Sequence, residues 1–418
     1  MSRGTLLLLL GLTALVFASS VGAAARSVSA SQAADLSTNE GVAAYLSSKG
    51  MNAKGFVVQR GQLNYAGPKC PGRRWNCTRK TKVVQISSGR HGKNRLECGP
   101  GGTLTDTTTA GTRTITCVVI QTATSGKNHA RCALGARGVS PVVLECRIEQ
   151  TNVNGDNKAR VKQRVVQRDG ADQRATLNAF VTQRNDSGDN RSDVDQTIDQ
   201  TTNDVQMATS PAQNQEGRFS ARIAQSSETG SNVSHLDQDL DQRGRATGPS
   251  SIVQRQFGNH FGEVGQTIGD VGEGITAAHS KPKSKSKGSS RSRAHQSERQ
   301  RLKGPGQQIQ IGPLFCCSTQ LGGDQDKTRV RIRQDSTQTS SQENAQQSQS
   351  ITGECTTVGD CGIRQRARND EDSIRVRERC TAPEGGTCSL FVPTSCNSES
   401  GCSTGDEEEA TSKKGRRR

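Results

Sequence analysis

Hydrophobic residues in this chain recur mostly in short alternations. From Asn157 to Gln167 the informative positions fall on every second residue, running Asn157, Ala159, Val161, Gln163, Val165, Gln167. Period two is the mark of a strand, because alternate side chains share a face. Aliphatic, small and amide side chains occupy that face. Just before it lies Gly155, and Gly-x-Asn is turn chemistry, since both residues tolerate left-handed backbone. One unit therefore reads as strand, turn, strand.

The unit repeats. Starting from Gln150, the positions are Gly155, Asn157, Ala159, Val161, Gln163, Val165 and Gln167. Gln183 is followed in the same register by Gly188, Asn190, Ser192, Val194, Gln196, Ile198 and Gln200, and Gln225 by Gly230, Asn232, Ser234, Leu236, Gln238, Leu240 and Gln242. An aliphatic residue precedes each origin by two: Ile148, Val181, Ile223. Weaker copies begin at Val119-x-Gln121 and Val83-x-Gln85. A single unit cannot bury a face, but stacked copies can. Glutamine and asparagine would then lie on their equivalents about 4.8 Å apart and bond amide to amide. The expected fold class is all-β, a repeat β-solenoid with small disulfide-tied flanking regions and disordered linkers. The spacing Gln-x6-Asn-x-Ala-x3-Gln at Gln150, Asn157, Ala159 and Gln163 resembles the curlin repeat of curli fibre subunits, whose Gln-to-Asn loop is usually two residues shorter. The match spans about residues 147–256. It implies stacked units, an extracellular setting, a capacity for self-assembly and no catalytic residue. The 14 cysteines, the net charge of +16 and the uneven loops depart from that family.

Composition agrees with a thin core. Hydrophobic residues are 30% of the 418, and aromatics 3%. Residues 1–25 read as a signal peptide, with Arg3, an apolar run from Leu6 to Ala18 and small residues after it. The cysteines form two even sets: Cys70, Cys77, Cys98, Cys117, Cys132 and Cys146, then Cys316, Cys317, Cys355, Cys361, Cys380, Cys388, Cys396 and Cys402. In an exported chain such sets read as disulfides. Zinc is disfavoured because no C-x2-C pair occurs and the six histidines are scattered.

Charge divides the chain further. A basic head over 26–146 contains the first cysteines. It is expected to hold a short helix capped at Ser37, with Glu40 at N3 and a stop at Gly50, and a strand at Phe56–Gln59. The repeat solenoid spans 147–279, with a marginal helix over 258–275 from the 3,4 spacing of Phe261, Val264, Ile268, Val271 and Ile275. A basic disordered linker spans 280–306, a cysteine-rich β region 307–403 and a charged tail 404–418. Lys281, Lys283, Lys285, Lys287, Arg291 and Arg293 are the polyanion-binding candidates.

No G-x-S-x-G, H-E-x-x-H, phosphate loop or EF-hand occurs. Asp186, Asp189, Asp193 and Asp195 lack the Gly-Gly-x-Gly-x-Asp form of calcium β-rolls. No cofactor, metal, enzyme activity or membrane span is expected. The sequence points to a secreted structural or adhesive protein of the cell surface or extracellular matrix, partnered by itself or by other matrix subunits. The alternative is a module that binds anionic cell-wall polymer or extracellular DNA.

Overall fold

The computed structural model describes residues 36–404, with short breaks of which the longest is 270–287. The expected signal peptide, the lysines at 281, 283, 285 and 287 and nearly all of the charged tail lie outside the described residues.

Two parallel sheets face each other across a thin core. The front sheet stacks β1 (Val57–Arg60), β4 (Lys82–Ser87), the first half of β7 (Thr112–Arg137), the first half of β8 (Val142–Arg168), β9 (Asp172–Ser187), β11 (Ala212–Ser227), β13 (Val253–Ile268), β15 (Gln307–Leu321) and β17 (Gln346–Thr356). The back sheet stacks β2 (Leu63–Ala66), β5 (Lys93–Cys98), the second halves of β7 and β8, β10 (Asn190–Val205), β12 (Asn232–Ala246), β14 (Ser290–Lys303), β16 (Arg329–Ser340) and β18 (Asp360–Arg368). Each sheet thus has nine rungs, which at the usual strand spacing makes a column about 40 Å tall. This is a β-solenoid, in the register that the sequence repeat implies: Gln150 pairs with Gln183, Gln183 with Gln225, Asn157 with Asn190 and Asn190 with Asn232.

The chain passes from front to back sheet at a glycine. A methyl group at Gly155 would sit 2.0 Å from the Gly126 carbonyl oxygen, and one at Gly188 would sit 2.2 Å from that of Gly155. Both residues also have positive φ, 150° and 129°. Only glycine lets successive corners stack this closely. Inside, aliphatic columns such as Val161, Val194, Leu236 and Leu144, Leu177, Phe219 fill the space between sheets.

Additional elements flank both ends of the stack. Helix α1 (Asn39–Ser48) lies against the outer side of the first front rungs, where Val42 and Leu46 bury with Val84 and Ile120. Its cap is Thr38 rather than the expected Ser37: Thr38 Oγ1 accepts from Gly41 N at 3.0 Å. Gly50, at φ 69°, ends it as the sequence implied, with Met51 N donating to Leu46 O at 2.8 Å. β3 (Asn76–Thr78) adds to β2, and β6 (Thr105–Thr109) folds back antiparallel on β7. At the other end β19 (Ser373–Thr381) and β20 (Thr387–Asn397) run antiparallel to β18 and β17, and β21 (Gly401–Thr404) pairs with β20.

Three expectations are corrected. Residues 290–303 are a strand, not a disordered linker. Their inward positions are Ser290, Ser292, Ala294, Gln296, Glu298, Gln300 and Leu302, an alternation hidden because most are polar. Residues 253–268 form a strand, not a helix. Gly258 and Gly262 point inward and make room for Leu240 and Leu236, whose methyls lie 2.6 and 2.7 Å from where a Cβ would be. The head, repeat and C-terminal regions are also not separate units, since one stack runs from β1 to β18.

Candidate functional site: amide ladders and the outer faces

The interior of the stack is organised by side-chain amides. In the front sheet each glutamine Nε2 donates to the Oε1 of the glutamine one rung earlier. The series runs through Gln59, Gln85, Gln121, Gln150, Gln183, Gln225, Gln266 and Gln320, at 2.6–2.8 Å. Thr357 Oγ1 donates to the last Oε1 at 3.2 Å. The second amide hydrogen crosses to the back sheet: Gln150 to Lys158 O at 3.1 Å, Gln183 to Arg191 O at 3.0 Å, Gln225 to Val233 O at 3.1 Å. Each ladder residue therefore binds the rung before it and the opposite sheet.

The asparagines run the other way. Asn64, Asn94, Asn128, Asn157 and Asn190 each donate from Nδ2 to the next rung's Oδ1, at 2.9 Å, and the series ends at Asn232, whose Nδ2 donates to Thr267 O at 2.8 Å. Two further back-sheet ladders contain Gln163, Gln196, Gln238, Gln296, Gln334, Gln365 and Gln167, Gln200, Gln242, Gln300, Gln338. A fifth series, which the sequence reading missed, joins Gln173, Gln215, Gln256, Gln310 and Gln347. The Gln-x3-Gln spacing of 163/167, 196/200 and 238/242 also marks 296/300 and 334/338, and would have carried the repeat across the supposed linker. All twelve ladder residues named from the sequence are buried.

The cysteines divide. Cys98–Cys117 and Cys132–Cys146 cross the core between the two sheets and stack on each other, since Cys98 pairs in register with Cys132 and Cys117 with Cys146. Cys70–Cys77 closes a surface loop in which Trp75 meets Tyr65 edge-on, centroids 6.3 Å apart. Cys355–Cys361 ties the last front rung to the last back rung. Cys316 and Cys317 are free thiols, correcting the expectation that they bond. As neighbours in a strand they point to opposite faces. Cys316 lies in the column of Cys117 and Cys146, but the back-sheet column of Cys98 and Cys132 continues there as Ala294 and Ile332. Cys380 pairs in backbone register with Cys361, Cys388 with Cys355 and Cys396 with Cys402. The sulfur positions of Cys380, Cys388, Cys396 and Cys402 are outside what is described.

One interior position breaks the pattern. Glu298 and His260 are fully buried with 4.0 Å between Oε2 and Nε2, and all four of their polar side-chain atoms lack a hydrogen-bond partner. Burial pushes His260 down to about 3 and holds the Glu298 carboxyl well above the usual carboxylate range. His260 is therefore neutral at pH 7, and burial favours the protonated, neutral form of Glu298.

Both outer faces carry charge, as at Arg222 and Glu263, 2.7 Å apart on the front sheet. The front sheet carries Phe261 stacked on Phe315 at 5.4 Å, beside the exposed Ile311. The back sheet is charged. Across β8, β10 and β12 some charges are matched between rungs, Arg160 with Asp193 at 3.5 Å and Lys162 with Asp195 at 3.3 Å, and His235 Nδ1 lies 3.3 Å from Asp193, while Asp195 lies opposite Asp237 and Lys158 opposite Arg191. His295 on β14 joins this network, bonding Asp237 at 3.2 Å and Asp335 at 3.6 Å. Those two carboxylates raise it to about 9. Arg291 and Arg293, the described members of the polyanion candidates, also face outward from β14 and are exposed.

Among the described residues no group of three or more His, Cys, Asp or Glu side chains is placed to hold a metal ion, and no helix is long and apolar enough to cross a membrane. The shallow depression beside α1, lined by Met51, Phe56, Lys82 and Val118, contains no carboxylate, imidazole or thiol. No family model, curated protein or solved structure matches the chain.

Proposed function

We propose that this protein is a secreted, non-catalytic rod that serves as a structural or adhesive element at the cell surface or in the extracellular matrix. The observation that carries this reading is the glutamine series from Gln59 to Gln320, which joins successive coils side chain to side chain. A column held this way is stiff along its length, and its interior is filled by its own ladders rather than shaped to admit a substrate. The cross-core disulfides suit an oxidising compartment.

The antiparallel strands β19 and β20 bear on self-assembly. They end the parallel repeat register with antiparallel pairing, so another copy adding there cannot continue the parallel amide ladders. The rod is therefore proposed to act as a single molecule laid laterally on its surroundings, not as a subunit of an end-to-end fibre.

The test is full-length protein expressed with its N-terminal segment. Export, retention with the cell surface or matrix, a monomeric sedimentation profile and no fibre-dye signal are the expected results. A chain that stays inside the cell with reduced thiols would overturn the reading, and dye-positive fibres would overturn its single-molecule form.

A further inference from the structure

The back sheet sets like charges opposite each other in both halves, but with different sign: Asp195 lies on Asp237 and Asp199 on Asp241, whereas the later rungs oppose arginines. On β14 and β16 arginine lies directly on arginine: Arg291 pairs in register with Arg329 and Arg293 with Arg331. On the next rung Arg364 lies on Arg333. Like charges directly opposite each other on neighbouring strands destabilise a sheet. Arg329 and Arg333 have Asp360 at 3.6 Å and Asp335 at 2.5 Å. Arg291, Arg293, Arg331 and Arg364 have no carboxylate within 4.0 Å among the described residues. The Nε of Arg364 is also buried without a hydrogen-bond partner. The rungs from β8 to β12 show that the same fold readily places aspartate opposite arginine. The arginine field on β14, β16 and β18 is thus a cost in stability that folding alone does not repay.

We infer that this face binds a linear acidic polysaccharide, with Arg291, Arg293, Arg331 and Arg364 taking successive carboxylate or sulfate groups. The inference rests on the proposed extracellular rod. The surface is flat and periodic. Cations recur about 6.7 Å apart along a strand and about 4.8 Å apart between strands, a grid that suits anions repeated along an extended chain. Guanidinium groups are suited to holding planar or tetrahedral oxyanions in pairs. Single-stranded nucleic acid is a poorer occupant, because the outward positions of these three strands hold no Phe, Tyr or Trp on which bases could stack. A second copy is also poorer, because the aspartates it would offer on β10 and β12 are largely engaged within their own chain.

The test is titration of the full-length protein with polygalacturonate, dextran sulfate, duplex DNA and neutral dextran, over a range of salt. Arg293→Gln/Arg331→Gln is compared with Arg160→Gln/Lys162→Gln, which removes the same charge from cations already paired with Asp193 and Asp195. Circular dichroism checks that both remain folded. The first variant is expected to lose about tenfold in affinity for the acidic glycans and to show a shallower salt dependence, and the second to lose less than about twofold. Equal losses in the two variants would overturn the inference, leaving only overall positive charge. Tighter binding to duplex DNA than to either glycan would also overturn it, as would self-association that only the first variant abolishes. None of these results touches the rod itself, whose failure would appear instead as lost strand signal or lost export.

Discussion

At the residue scale the interior makes two opposite demands on polar groups. Gln183 meets them. Its Nε2 donates to Gln150 and to Arg191 O, and its Oε1 accepts from Gln225. Replacing Gln183 by Ala strands the amide of Gln225 and the carbonyl of Gln150 in a dry core. The expected cost is about 3 kcal/mol by denaturant unfolding, whereas Thr182→Ala on the outer side should change stability by less than about 0.5 kcal/mol. Glu298 does not meet them. Above pH of about 4.5 the unfolded chain releases this proton while the folded chain retains it, so stability falls as pH rises toward the raised folded value. Glu298→Leu, which extends the column of Ile198 and Leu240, should therefore stabilise the protein, by about 2 kcal/mol at pH 8 and less at pH 5. His260→Leu should show the reverse trend. The unfolded imidazole gains a proton below about pH 6.5 and the buried one resists until about 3, so its benefit should grow as pH drops from 7 to 4. Melting curves across pH for both variants check these signs.

At the element scale, each strand is defined by what alternates, not by how apolar it is. This explains where the sequence was readable. In β8, β10 and β12 the inward series mixes amides with Val, Ile or Leu, and the register of the stack was legible to the residue. In β14 the same positions hold serine, glutamine and a glutamate, with only Ala294 and Leu302 apolar, so apolar periodicity did not mark the strand and it read as linker. In β13 the apparent helical spacing combined residues from both faces: Phe261 is outward, Val264 and Ile268 inward. The site was legible unevenly. The ladder glutamines stood out by spacing. Of the arginine field only Arg291 and Arg293 stood out, as part of a basic run; their partners Arg329 and Arg331 did not, because β14 was read as linker and so offered no strand to pair with. The disulfides belong to this scale too. Cys98–Cys117 and Cys132–Cys146 close loops of 19 and 14 residues. Removing either by paired serine substitution should cost about 3 kcal/mol in denaturant midpoint measurements, and removing both should be non-additive because they stack.

At the scale of the whole molecule, neighbouring coils touch only each other, so stability accumulates along the axis and is weakest at the ends. Helix α1 is one guard. It screens Val84 and Ile120 on the outer side of the front sheet. Deleting residues 36–52 should deprotect β1, β4 and the start of β7 in amide exchange, while β9 to β16 keep their protection. Loss of protection throughout the stack would show instead that the column folds as one cooperative block.

The bonded glutamines lie at irregular distances along the chain. One link spans 29 residues, others 33 and 42, and Gln296 reaches back 58 to Gln238, yet all close at 2.7–2.8 Å. The excess chain enters and leaves at the corners without altering the register of the coils beside it. The fold thus separates what must be conserved in length from what is free to change. Its corners are natural acceptors for inserted sequence, and whole coils are natural units for duplication or loss. Lineages of such a protein would then diverge in loop content and coil number well before they diverged in the amide pattern.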